Sequence, residues 1–242
     1  AHLFVVTEGA RQNLIGKGVP AEKVTVMPHW IDEELFKPVS DDVRRDTRAQ
    51  HGWNDAFVIL FAGNIGLVQG LETVIEAARH IPQNSNIRIV IVGDGADKAR
   101  LVQLANELQV TERVTFIDRQ PMEAMPAFMA ASDALLVHLR RSELSRYVIP
   151  TKTLAYLGAS RPILMAMEGA AADLVAAAGA GPIVTPQDPE RLARAMMELA
   201  SMSETQRAEY GQRGRAYLLA NLRKQDVLTK YEQHLANAAA KR

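Results

Sequence analysis

Short, continuous apolar segments are the feature of this sequence that most constrains its fold. In chain order they are Leu3–Val6, Val24–Met27, Val58–Ala62, Ile87–Val92, Val114–Ile117, Ala134–Leu139, Pro162–Ala166 and Pro182–Val184. Their apolar residues are contiguous rather than alternating, which is typical of strands buried on both faces of a parallel sheet. We therefore predict a parallel sheet that is covered by helices on both faces.

Helical patterns separate these segments. One predicted helix has an apolar face formed by Leu71, Val74, Ile75 and Ala78, and a later one has a face formed by Leu192, Ala195, Met196 and Leu199. Strand and helix patterns alternate from residue 57 to about residue 200, and only helical patterns follow residue 203. This order predicts an α/β fold with a Rossmann-like, doubly wound parallel sheet.

Composition excludes several classes of protein. The 242 residues include 28 basic and 28 acidic side chains, so the overall charge argues against a nucleic-acid-binding protein. Cysteine is absent, which excludes disulfides, iron–sulfur clusters and cysteine nucleophiles. No apolar segment approaches the ~18–20 residues that a membrane-spanning helix needs. We expect a cytoplasmic protein.

The C-terminal tail is basic. From Arg207 to Arg242 it has eight basic and three acidic residues. A solvated helix face is one interpretation of this pattern. The alternative is peripheral association with the inner face of the cytoplasmic membrane through anionic lipids.

A ligand site is expected at the carboxyl ends of the strands. In an open parallel sheet, the loops that follow the strands form the binding crevice. These loops are Gly63–Gly70, Gly93–Asp97, Asp118–Pro121, His138–Lys152 and Met167–Ala170. Glycine in the first loop would let backbone N–H groups approach an anion, although a tight strand-to-helix turn has the same pattern.

The fourth of these loops concentrates positive charge. Its basic residues are Arg140, Arg141, Arg146 and Lys152. Guanidinium and ammonium groups in this position would surround an anion, and Pro150 is typical of a first helical turn whose free N–H groups would face the same ligand. A solvated basic loop is the alternative. No histidine pair has metal-ligand spacing and no Asp-x-Asp follows a strand, so no metal site is predicted.

Five groups of segments occur in a recognisable order. They are Thr25–Asp32 with Phe36–Pro38, Phe61–Gly66 with Gln69–Leu71, Val92–Gly95, Met125–Asp133, and Ile149–Lys152 with Ala155–Pro162. Together they resemble the donor-binding C-terminal half of the GT-B glycosyltransferases of family 4, also called group 1. Within that family, the residues of the Gly63–Gly70 loop and of Pro150–Lys152 are most similar to those of bacterial surface-polysaccharide transferases of the L-fucosamine type.

The resemblance implies an activity and a division of the chain. Such enzymes transfer a sugar, with retention at the anomeric carbon, from a nucleotide-diphosphate sugar that is usually UDP-linked. They need no metal and no cofactor, and the acceptor here would be a polysaccharide or a lipid-linked glycan. Residues 1–38 would be the remnant of an acceptor-side domain and its linker, residues 39–222 the donor-binding domain, and residues 223–242 a helix that crosses back.

The resemblance also implies the residues of the donor site. By motif position they are Gly63, Asn64, Gln69, Gly93, Asp94, Asp118, Arg119, Gln120, Arg146, Tyr147, Thr151, Lys152 and Ala155. The first two would lie under the diphosphate, residues 118–120 would edge the base, and Lys152 would reach a phosphate. Gln69 stands where many relatives have a lysine.

Two positions depart from the family's pattern. Its pair of glutamates would fall on Tyr147 and Ala155, and the second normally binds the ribose hydroxyls. Glu143 is then the remaining candidate for a catalytic carboxylate. Two alternatives stay open: an enzyme like the nucleotide-sugar 2-epimerases, which would need further carboxylates in the cleft, and a nucleotide-sugar-binding domain without catalysis.

Overall fold

Two parallel sheets organise the chain in the computed structural model, which describes residues 2–240. The strands are β1 (Leu3–Val5), β2 (Val24–Val26), β3 (Phe57–Ala62), β4 (Ile87–Val92), β5 (Val114–Ile117), β6 (Ala134–His138) and β7 (Ile163–Ala166). The last five form one sheet in the order β5-β4-β3-β6-β7, whereas β1 pairs with β2 in a small separate sheet. All of these pairings are parallel.

Helices connect and cover the strands. They are α1 (Glu8–Gly16), α2 (Asp41–His51), α3 (Glu72–Arg79), α4 (Lys98–Glu107), α5 (Met125–Ala131), α6 (Thr151–Gly158), α7 (Ala170–Ala178), α8 (Pro189–Ser201), α9 (Glu204–Asn221) and α10 (Lys224–Ala240). Within residues 2–240, no helix combines the length and the apolar character needed to cross a bilayer.

Alternate residues of β3 enter two different hydrophobic cores. Val58 and Leu60 join the core on the side of α5 and α6, whereas Ile59 and Phe61 join the core on the side of α3 and α8. All four side chains are fully buried. This burial on both faces explains the continuous apolar segments and confirms the predicted Rossmann-like, doubly wound sheet.

The order of the strands reverses next to β3. The chain builds β4 and β5 on one side of β3 and then returns to add β6 and β7 on the other side. Crossovers to opposite faces leave a crevice at such a switch point, beyond the carboxyl ends of the strands. This rule predicts a site at the carboxyl end of β3, where the order of the strands reverses.

The prediction of a last strand at Pro182–Val184 is wrong. Only a single bridge, between Ile183 and Met165 of β7, forms there. Pro182 has no N–H group for a ladder, and Ile183 remains 42% exposed at the edge of the sheet. The apolar residues Pro182–Val184 thus form a loop that runs along the edge strand β7.

The two ends of the chain pack against each other. The Tyr231 ring of α10 lies 5.5 Å from the ring of Phe4 and 5.8 Å from that of Trp30, between centroids. The Lys224 N–H group donates to the Glu33 carboxylate at 3.4 Å. Helix α10 therefore lies against the segment that the resemblance assigns to an acceptor-side domain; residues 241 and 242 of the predicted crossing helix lie outside the described residues.

Candidate functional site

A cavity of about 810 Å³ opens at the carboxyl ends of β3, β4 and β5 and is closed on one side by α6. Nine of the predicted site residues line it: Gly63, Asn64, Gly93, Asp94, Arg119, Gln120, Thr151, Lys152 and Ala155. Three consecutive strand ends and one helix therefore contribute to a single concave surface. Its position agrees with the general rule for ligands of open parallel sheets.

Glycine is required at two of these strand ends. Gly63 has a φ of +139°, and a Cβ atom there would lie 3.0 Å from the Lys152 ammonium nitrogen. Gly93 has a φ of +151°, and a Cβ atom there would lie 1.9 Å from the Gly63 carbonyl oxygen. The Gly93 loop can pack this closely on the Gly63 carbonyl only because Gly93 has no side chain, whereas the absence of a side chain on Gly63 leaves room for the Lys152 ammonium. A ligand in the cavity consequently meets main chain at this floor.

Lys152 is the cation of the cavity wall nearest to this floor. It lies in the first turn of α6, and its Nζ is 3.5 Å from the centroid of the Phe61 ring and 3.3 Å from the Gln69 Oε1 atom. Burial lowers the pKa of Lys152 to about 7, because the surroundings solvate the ammonium poorly. We call Gly63, Thr151 and Lys152 the anion end of the cavity, since an anionic ligand would restore what the ammonium lacks.

Tyr156 fixes α6 to the end of β3. Its hydroxyl is completely buried, accepts a hydrogen bond from the Ala62 N–H group at 2.9 Å and donates to the Ala62 carbonyl. Burial raises the pKa of Tyr156, so the phenol remains protonated. This link holds Lys152, one turn earlier on α6, beside the Gly63 loop.

Another part of the cavity wall is apolar. It is formed by Ile31, Phe36, Met125, Met129 and Ala155, of which the sequence predicted only Ala155 as a site residue, and we call these five residues the apolar wall. All five side chains are buried. The two methionines lie on α5, whose residues were interpreted only as a family motif, and the other two missed residues belong to the segment interpreted as a linker. The absence of polar residues at these positions left no chemical signal.

Several predicted residues lie outside the cavity wall. Asp118 is exposed and pairs with Lys98 at 2.5 Å, and this ammonium lowers the pKa of Asp118. Gln69 reaches the site only through its contact with Lys152. Glu143 is exposed on the loop before α6, so the structure does not bring this candidate carboxylate to the cavity.

Arg146 and Tyr147 belong to a helical turn that packs on α1 rather than on the cavity. The Tyr147 carbonyl accepts a hydrogen bond from the Thr7 hydroxyl at 2.8 Å. A Cβ atom on Gly9 of α1 would lie 2.9 Å from the Tyr147 ring. The Arg146 backbone lies against Gly169, where α7 begins. These contacts place both residues between the N-terminal segment and the main sheet.

The expected ring of positive charge around an anion does not form. Arg140 binds Glu72 through two nitrogens at 2.6 and 2.9 Å, and Arg141 binds Glu168 at 2.6 Å. Neither guanidinium lines the cavity. The carboxylates that neutralise them come from distant parts of the chain, so the sequence alone could not reveal them. Of the four basic residues in this loop, Lys152 alone faces the cavity.

Comparison with known proteins identifies relatives of the chain. The model of the family described as glycosyl transferases group 1 matches residues 43–217. The putative colanic acid biosynthesis glycosyl transferase WcaI of Escherichia coli K12 is 34% identical over 152 residues, which are 62% of this chain and 37% of that protein. The chain thus spans well under half the length of this relative.

Solved structures share the fold at low sequence identity. HepE from Anabaena, crystallised with UDP, superimposes with a TM-score of 0.87 at 20% identity and covers 98% of this chain and 64% of its own. The same protein with UDP-glucose gives a TM-score of 0.85 at 21% identity over the same shares of the two chains. The similarity extends over the N-terminal segment and α10 as well as the main sheet.

Proposed function

The chain belongs to the group 1 glycosyltransferases, and we propose that it is the donor-binding half of a retaining enzyme. In this proposal the cavity binds a UDP-linked sugar, and the sugar passes to a polysaccharide or a lipid-linked glycan. The observation that carries the proposal is the single cavity in which a floor of main chain meets one poorly solvated ammonium group.

The dimensions of the cavity suit a nucleoside diphosphate. It extends from the loop after β5, at Arg119 and Gln120, across β4 and β3 to the first turn of α6 beyond β6. Three spacings between neighbouring strands correspond to about 14 Å. An extended nucleotide could therefore place its base at the β5 loop and its diphosphate at the anion end.

Lys152 supplies the electrostatic part of the proposed chemistry. During transfer, the bond between the anomeric carbon and the diphosphate oxygen breaks, and that oxygen develops negative charge. The acceptor hydroxyl oxygen bonds to the anomeric carbon, and its proton passes to the departing diphosphate. An ammonium beside the diphosphate stabilises that charge, aided by the N–H groups of the first turn of α6. We assign the neutralisation of the diphosphate to Lys152, because its ammonium lies beside the Gly63 main chain at the floor of the cavity. Within the described residues, no group of three or more His, Asp or Glu side chains is placed to hold a metal ion.

The identity of donor and acceptor rests on the relatives. HepE has been crystallised with UDP and UDP-glucose, and the name of WcaI refers to colanic acid biosynthesis. A lipid-linked acceptor would bring the protein to the inner face of the membrane, which agrees with the basic C-terminal tail. Asp94 is the one carboxylate among the described residues of the cavity wall, which argues against an epimerase-like reaction that needs several.

Calorimetric titration of the chain with UDP tests this proposal. We expect binding of UDP with an affinity that is unchanged by EDTA, because protein groups rather than a metal neutralise the diphosphate. Binding that disappears on chelation would reject the metal-free site, and failure to bind UDP in either buffer would reject the donor site itself. Sugar transfer by a longer form with an acceptor-side domain would distinguish an enzyme from a binding domain.

A further inference from the structure

His138 is a buried histidine that the proposed chemistry does not use. It is the last residue of β6, it has no exposed surface, and it does not line the cavity. Its Nδ1 atom lies 2.6 Å from the Gln69 carbonyl oxygen. Burial lowers the pKa of His138, so the ring is neutral near pH 7. Since a carbonyl only accepts, Nδ1 carries the hydrogen, and Nε2 has no hydrogen-bond partner among the described residues.

The bonded carbonyl belongs to a tight turn that ends the first loop. The Gln69 N–H group donates to the Gly66 carbonyl at 2.9 Å, and the Gly70 N–H group donates to Leu67 at 3.2 Å. Gly70 has a φ of +64°, and a Cβ atom there would lie 3.1 Å from the His138 ring. The imidazole therefore both holds the turn by a hydrogen bond and packs directly against it.

The same turn reaches the anion end through Gln69. Its side-chain Oε1 atom lies 3.3 Å from the Lys152 ammonium nitrogen, while its main-chain oxygen is bound to His138. Among the described residues, Gln69 Oε1 is the hydrogen-bond acceptor of that ammonium. A displaced Gln69 would leave the Phe61 ring as the remaining close contact of the ammonium. One residue thus connects the buried imidazole to the cation of the cavity.

The charged neighbours of His138 are already engaged. Arg140 is paired with Glu72, and Glu72 also accepts from Arg100 at 3.2 Å. The Arg140 N–H group additionally donates to the Val68 carbonyl at 2.9 Å. The end of β6 therefore holds the turn at two consecutive carbonyls, one through main chain and one through the His138 side chain. The side-chain bond is the one that a substitution can remove.

We propose that His138 is a positioning residue that, by binding the Gln69 carbonyl, sets the place of the Gln69 side chain and through it the place of the Lys152 ammonium. The proposal rests on the proposed function, in which that ammonium binds the diphosphate. Under this proposal His138, which is buried and lies outside the cavity, affects the binding of the diphosphate at the anion end and leaves the binding of the nucleoside unchanged.

Replacement of the ring is the first test. We expect His138→Leu to weaken UDP binding about 3- to 10-fold, the usual range for one neutral hydrogen bond, and to leave uridine binding unchanged. Hydrogen–deuterium exchange should accelerate about 3- to 10-fold at the Gln69 and Gly70 amides but not in β3. The exchange measurement needs no ligand, so it tests the turn independently of the donor site.

A matched pair of variants separates positioning from packing. The amide nitrogen of asparagine occupies nearly the place of histidine Nδ1, whereas that of glutamine corresponds to Nε2. We therefore expect His138→Asn to keep UDP binding within twofold of the original and His138→Gln to weaken it about 3- to 10-fold, as the leucine variant does. Leu136→Val, a change in the same buried strand, is the control for lowered stability and should leave UDP binding unchanged.

The outcomes distinguish this inference from the proposed function. Unchanged UDP binding and unchanged exchange in His138→Leu and His138→Gln, or equal losses for UDP and uridine, would overturn the positioning role. Absence of UDP binding in the unaltered protein would overturn the donor site. In that case, amide exchange at Gln69 and Gly70 that is no faster in His138→Gln than in the unaltered protein would overturn the role of His138 as well. If the leucine variant does not fold, the asparagine and glutamine pair decides between the same results.

Discussion

The two sides of the cavity differ in how they would hold a ligand. The anion end consists of Gly63, Thr151 and Lys152 and carries one ammonium group, whereas the apolar wall carries no charge and no polar side chain. Charged hydrogen bonds are strong and directional, while apolar contact is weaker for each atom and insensitive to orientation. The comparison teaches that, under the proposed function, specific contacts at the anion end would recognise the diphosphate, whereas the apolar wall would recognise the nucleoside mainly by its shape.

The main-chain floor beside the anion end should be the part of the cavity that is most sensitive to substitution. Gly93→Ala would place a Cβ atom 1.9 Å from the Gly63 carbonyl oxygen at a φ that favours glycine. We expect a loss of about 3–5 kcal/mol in the free energy of unfolding, from overpacking together with backbone strain. Urea unfolding measures this loss.

Gly16→Ala is the matched control for that variant. A Cβ atom on Gly16 would meet nothing within 4 Å, so this substitution at the end of α1 should cost little or stabilise slightly. Similar unfolding curves for the two variants would show that the close approach of the Gly63 and Gly93 loops has no energetic importance.

The cation of the anion end should give the next largest effect. We expect Lys152→Ala to weaken UDP binding by about 1.5–3 kcal/mol, because a hydrogen bond to a charged group is lost, and to change uridine binding far less. Calorimetry with both ligands makes the comparison. Lys98→Ala, which removes a lysine paired with Asp118, is the control and should affect UDP less. Equal losses for uridine and UDP in Lys152→Ala would mean that Lys152 acts on the fold.

The apolar wall should gain from a polar side chain if the ribose lies against it. Ala155→Glu would supply the acceptor that the family pattern has at this position, and we expect tighter UDP binding by about 1.5 kcal/mol, the lower end for a charged bond, because the buried carboxylate also loses solvation. The gain should shrink for the 2′-deoxy nucleotide. An unchanged affinity with a clearly lower melting temperature would place the ribose elsewhere.

The pH dependence of binding should report on the anion end alone. With a pKa of about 7, Lys152 loses its proton as the pH rises, whereas a bound diphosphate favours the ammonium. UDP affinity should therefore fall above pH 7, by about 1 kcal/mol for each pH unit, while uridine affinity stays constant. Lys152→Arg keeps its charge and should remove the slope; a flat profile in the unaltered protein would contradict the shifted pKa.

The lowered pKa of Lys152 should have the opposite effect on the stability of the ligand-free protein, which rises with pH where UDP affinity falls. Between pH 7 and the ordinary lysine value of 10.5, the unfolded chain binds a proton at Lys152 that the folded chain does not. The free energy of unfolding should therefore rise through this window as far as Lys152 contributes to it. Below pH 7 both states carry the proton, and the cost of burying the ammonium is present in full.

Sequence patterns predicted the sheet well because each pattern reflects a local cause. The segments Ile87–Val92 and Val114–Ile117 are strands with the predicted bounds. All residues of the first strand except Arg88 are buried, whereas the second lies at the edge of the sheet, where Thr115 is exposed. Pro182–Val184 has similar letters and fails, because an edge segment with a proline can look like a strand without pairing as one. Continuity of apolar residues alone therefore establishes neither burial nor a neighbouring strand, since Ile183 is exposed and forms only one bridge.

The sequence by itself determined the α/β class, the family and three of the five predicted loops that line the cavity, because the succession of strand and helix patterns and the positions of glycine are visible in local residue types. The predicted Met167–Ala170 loop does not line the cavity, and the fourth loop contributes only its end, at Thr151 and Lys152. Tertiary structure decided which charges remain available: Glu72 and Glu168 neutralise Arg140 and Arg141, and Lys152 is left against Phe61 and Gln69. It also decided that Met125 and Ile31 face the cavity. Charge pairing and cavity walls join residues far apart in the chain, and a one-dimensional pattern carries no record of which distant groups meet.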